Sequence, residues 1–112
     1  MTITALPLVP DATLTNADAN YYTCPVNTTA VVKRAVFTNT SASAVTITAN
    51  VVRSGGSVAA SNQIITSQPI APQSTYVSPE LAGLTLSAGD AIHAVASANS
   101  VVNFMASGIQ IV

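Results

Sequence analysis

The side chains that could do chemistry are few in this chain. His93 is its only histidine and Cys24 its only cysteine, and the carboxylates are Asp11, Asp18, Glu80 and Asp90. A transition-metal site needs several N or S ligands, and one His with one Cys falls short of that. A general base at His93 would need a nucleophile and an orienting acid beside it. Asp90 lies three residues before it, at a turn that starts a strand, so a strand-face histidine is the simpler reading. The carboxylates are scattered, without the dense alternation of a calcium loop or a spacing that would set two across a glycosidase cleft. Gly55-Gly56 lacks the Lys-Ser or Lys-Thr and the helix of a phosphate loop. Asn27-Thr28-Thr29 and Asn39-Thr40-Ser41 fit the N-glycosylation pattern, but short polar residues of this kind are also turn chemistry. The sequence therefore nominates no catalytic, cofactor-binding or metal-binding residue, and the expectation is a protein that is not an enzyme.

Composition explains what replaces chemistry. Only 6% of the residues are charged, against roughly 25% in an ordinary soluble protein. The cations are Lys33, Arg34 and Arg53, and the net charge is −1. Three cations cannot neutralise a run of phosphates, which argues against nucleic acid as a partner. With 49% hydrophobic residues the chain has material for a core and is not a disordered segment. It has no apolar run of about 18 residues, so no membrane-spanning helix is expected. MTITALPLVPDATL lacks the basic and uninterrupted apolar regions of a signal peptide, so the expected place of synthesis is a cytoplasm. A surface of Ser, Thr, Asn, Gln and Ala with so little charge resists self-association poorly. It suits a protein packed against copies of itself or a larger lattice.

Strands must position these residues. In Val31–Arg53, Val45, Ile47, Ala49 and Val51 alternate with Thr46, Thr48, Asn50 and Val52, the period of a half-buried strand. Ala35 and Phe37 alternate with Val36 and Thr38, and Asn39–Ser43 between the limbs reads as a turn. The pair is expected to form a central hairpin, with Lys33 and Arg34 pointing to opposite faces. Residues 1–11 carry Pro7 and Pro10 in an alternating stretch, which makes them an edge strand or an arm that reaches a neighbour. Residues 12–112 form the main domain. Further short strands are expected at Asn20–Cys24, Ser61–Ile70, Ser74–Ser78, Ala91–Ala96 and Val101–Val112, with room for one helical turn at Glu80–Ser87 and a bulge at Gly108. About eight short strands between regularly spaced turns give an all-β class: one compact β-sandwich, jelly-roll or Greek-key. Phe37, Ile47, Val51, Ile92 and Phe104 are its expected core.

Three local patterns occur in order: Tyr22-Thr23-Cys24-Pro25 running into Thr28–Val32; Val36–Ser41 running into Val45–Thr48; and Leu84–Ile92 followed by Ser107-Gly108-Ile109. Together they resemble the small β-sandwich accessory proteins of tailed-bacteriophage virions. The resemblance implies a structural role without catalytic residues or cofactors, as a capsid decoration or cement protein that stabilises the assembled head. A neck, tail or fibre component, with receptor or carbohydrate binding, is the alternative. It further implies a homo-oligomer, a trimer by preference, that contacts the major capsid protein or other virion proteins and resides in the virion. Sugar binding would call on exposed rings among Tyr21, Tyr22 and Tyr76, since the chain has no Trp.

Overall fold

Strand-forming alternation runs through nearly the whole chain, and in the computed structural model, which describes residues 1–112, it produces nine strands and one short 3-10 turn. The strands are β1 (Ile3–Thr13), β2 (Ala19–Thr23), β3 (Thr29–Asn39), β4 (Val45–Val52), β5 (Gln63–Ile70), β6 (Thr75–Val77), β7 (Thr85–Leu86), β8 (Ala91–Ala96) and β9 (Val102–Ile111). Four antiparallel pairings, β1·β9, β2·β8, β3·β6 and β4·β5, describe a long two-stranded ribbon. The ribbon folds over on itself into two sheets, ordered β1-β9-β3-β6 and β2-β8-β4-β5, with β7 added against β3. That is the jelly-roll form of the β-sandwich.

The core lies between the sheets. All five core residues expected from the sequence are buried: Phe37, Phe104 and Ile92 completely, Ile47 and Val51 nearly so. Phe37 and Phe104 are register partners on β3 and β9. Their rings stack at 4.4 Å, and Tyr21 meets Phe104 edge-on at 5.9 Å. Cys24 packs among the apolar residues as a small hydrophobe.

Val31–Arg53 is not a hairpin. Its limbs, β3 and β4, belong to opposite sheets, so Asn39–Ser43 is an arch across the core. Period-two alternation selects the residues that face inward, and two strands facing each other across a core show it as well as two paired edge to edge. The connection that does join hydrogen-bonded neighbours is β4 to β5, through the Arg53–Gly56 turn, where Gly55 has φ +80°. Lys33 and Arg34 do not oppose one another either. The β3·β9 register shifts between Val32 and Arg34, and this β-bulge leaves both side chains exposed. Gly108 faces the bulge without forming it. A Cβ there would run into the Val31 carbonyl and meet Leu8 Cδ1 at 3.1 Å.

β1 continues through residue 11 to Thr13, pairs along β9 of its own sheet, and sends Leu8 and Val9 into the core. Its register shifts around Leu8 and again between Val9 and Ala12, where Pro10 interrupts the ladder. Glu80 lies in a hydrogen-bonded turn between β6 and β7, and no helix forms there.

Candidate functional site

The titratable side chains are dispersed into separate structural roles. His93, on the outer face of β8, meets Asp18 at 2.8 Å and not Asp90, its neighbour in sequence. Asp90 is buried at the head of β8. It accepts hydrogen bonds from the Ser87 N–H at 2.9 Å, the Ser54 N–H at 3.0 Å and the Arg53 guanidinium at 2.8 Å. Burial alone would raise its pKa, but these donors, Ser87 and Arg53 foremost, outweigh it and hold the carboxyl below its usual range. Glu80 accepts from the Tyr76 and Ser78 hydroxyls. Its pKa is likewise lowered, with burial opposing and these hydroxyls prevailing. Burial, then the bond to Glu80, pushes the Tyr76 phenol up to about 12. No three His, Cys, Asp or Glu side chains converge to hold a metal ion, and no helix is long and apolar enough to cross a membrane.

A carboxyl held ionised by the fold ties stability to pH. The native Asp90 keeps its charge to lower pH than the unfolded chain, whose value is near 3.8. Its contribution is therefore present above that value and is lost as pH falls through the depressed native one. The thermal midpoint should drop on acidification through this window. Asp90→Asn should lower the midpoint at neutral pH and flatten the acid drop, leaving the smaller slope due to Glu80. An unchanged acid slope in the variant would assign the linkage to other groups.

Cys24 is 1% exposed and its thiol donates to the Thr28 carbonyl at 3.3 Å. Burial raises its pKa, which leaves little thiolate. A thiol reagent should therefore label the native protein only as fast as it unfolds and label the denatured chain fully. Rapid labelling of native protein would place the sulfur at the surface.

The tyrosines are also committed to the fold. Tyr21 rests on Phe104, Tyr22 Oη accepts from Gln110 Nε2 at 2.7 Å, and Tyr76 is bound to Glu80. Asn39 of the second glycosylation-like motif is completely buried, whereas Asn27 of the first sits exposed in a turn at φ +55°.

What the fold does leave open is the outer face of the β1-β9-β3-β6 sheet. Register aligns its rows across the strands. Ile3 pairs with Ile111, Ala5 with Ile109, and Ile109 with Val31. Met105 pairs with Val36, which pairs with Val77 on β6. Ile3, Val77 and Met105 are 57%, 49% and 43% exposed, where an outward sheet face is ordinarily polar. Two shallow clefts share Met105 as a wall. One, of about 300 Å³, is lined by Pro7, Pro10, Val36 and Arg34 among others, and the second, of about 220 Å³, by Asp11, Thr13 and Asn103. The sequence does hold a signal for this face: in β9 Met105 stands between the buried Phe104 and Ala106, and Ile109 and Ile111 follow the buried Gly108, so apolar residues occur on both sides of the strand. Its outward side becomes visible only once the inward side is known.

No family model matches the chain, and no curated protein matches it. Among solved structures it is similar to that of Bacillus endospore appendages, described as a novel family of disulfide-linked pili. The TM-score is 0.51 and the identity 20%, over 97% of this chain and 87% of that one. A likeness at that identity is a likeness of fold, and it extends over nearly the whole molecule: the chain is an all-β sandwich, and a pilus structure is similar to it in fold.

Proposed function

We propose that this protein is a structural subunit of a phage virion, a decoration or cement protein that binds the assembled head. The observation that carries the reading is the outer face of the β1-β9-β3-β6 sheet, where two partly exposed apolar rows cross the strands on a molecule with only 6% charged residues. Such a surface gains by being covered. A subunit that binds the assembled lattice but not its dissociated parts stabilises the lattice by mass action. It acts as a homo-oligomer or in contact with the major capsid protein, and its work is mechanical.

A second reading is a subunit of a filamentous appendage, favoured by the likeness to a pilus structure over 97% of the chain. The disulfide linkage of those pili would not carry over through Cys24, which is buried. Within the virion, a place on the neck, tail or fibre is the alternative to the head. Quantifying this chain in purified particles from cells that express it separates these readings. Copies comparable in number to the major capsid protein support decoration, and far fewer support neck, tail or fibre. Absence from particles together with presence in sheared filaments would overturn the virion reading.

A further inference from the structure

We infer that the face carrying Met105 is an interface between two copies of this chain, paired isologously with Arg34 of each copy against Asp11 of the other. The inference rests on the assembly reading above and names the surface and the partner. Its basis is the order of groups on the face. The cleft on one side of Met105 holds a cation, Arg34, and the cleft on the other side holds an anion, Asp11. Apolar Pro7, Pro10 and Val36 lie around them. Neither charge is used within the fold, where the side-chain contacts of opposite character are the Arg53–Asp90 ion pair and the His93–Asp18 hydrogen bond.

A cation and an anion flanking one apolar ridge make a self-complementary surface. A two-fold axis lying in the interface, through Met105 and perpendicular to the line from Arg34 to Asp11, sets each Arg34 on the partner copy's Asp11. It does so twice, since in an isologous contact whatever one patch does to the other is returned. Both charges sit on one face, so this arrangement is favoured over a head-to-tail ring, whose two contact patches lie on different sides of the molecule. The Met105 side chains meet at the centre, where a flexible thioether fills uneven space well. Covering the ridge also desolvates the ion pairs and strengthens them relative to exposed ones.

Sedimentation equilibrium on the full chain tests this. The wild type should show a reversible monomer–dimer equilibrium that weakens with added salt. Arg34→Asp and Asp11→Arg should each weaken the dimer by about tenfold or more, because like charges then face each other. The double variant Arg34→Asp/Asp11→Arg should recover most of the loss. Met105→Asp should abolish dimerisation. These side chains are all exposed, and an unchanged far-UV spectrum and thermal midpoint will show that each variant is folded. A protein monomeric up to about 1 mM, a dimer indifferent to the single reversals, or a double variant no better than the worse single overturns the inference. An oligomer that survives every variant overturns this contact and leaves the proposed function standing. Particles without the protein overturn the function while a charge-swapped dimer still stands.

Discussion

Phe37→Ala should destabilise the protein by about 3–5 kcal/mol, measured by chemical denaturation. The ring has no solvent exposure and lies parallel to Phe104, with 6° between the planes. Removing it deletes the transfer free energy of a large apolar group and leaves a cavity. Collapse into that cavity is restricted, because β3 is held on both sides, by β9 and by β6, over the register that includes Phe37. Phe104 would lose its stacking partner and keep only the edge-on contact with Tyr21. Phe37→Leu, which retains part of the volume, should cost clearly less. A loss below about 1 kcal/mol for the alanine variant would mean that the two sheets close over the gap or that the ring is not in the core.

Phe37 illustrates what the sequence makes legible. Alternation along Ala35–Thr38 and Val45–Val52 is a local property, and it marks the inward residues correctly wherever the strand ends up. The choice of partner strand is not local. β3 lies between β9 and β6, whose residues come far later in the chain, and nothing within Val31–Arg53 encodes that. The bulge at Lys33 is hidden for the same reason: the extra residue exists only relative to the register of β9. His93 pairs with Asp18 because β2 runs beside β8, placing side chains 75 positions apart within 2.8 Å. Asp90, the carboxylate nearest to His93 in the sequence, instead turns back to cap its own turn and hold Arg53. The outer-face row Val77–Val36–Met105 is assembled from three distant strands, so only the fold can bring it together.

Asn39→Ala should cost about 3–5 kcal/mol, as much as losing a core aromatic, although Asn39 lies in what reads as turn chemistry. The side chain is completely buried at the end of β3, where the chain leaves one sheet for the other. Its Nδ2 donates to the carbonyls of Ser43 at 2.8 Å, Ile70 at 3.1 Å and Ala71 at 3.3 Å. Its Oδ1 accepts from the Ser41 N–H at 2.9 Å and the Ser41 hydroxyl at 2.7 Å. One amide thus closes the β3–β4 arch on itself and ties it to the end of β5. Alanine leaves the Ile70 carbonyl, in a buried contact, without this donor, and removes the acceptor that shapes the arch. Each such orphaned group costs about 1–3 kcal/mol. Asn39→Asp gives the sharper test, since it keeps the shape and replaces two N–H donors with an anionic oxygen aimed at three carbonyls. It should be at least as destabilising as alanine at neutral pH. It should recover partly in acid, where the protonated carboxyl can donate again. If both variants cost less than about 1 kcal/mol, the arch is held by its backbone and by the apolar contacts of Val45, and the amide network is dispensable.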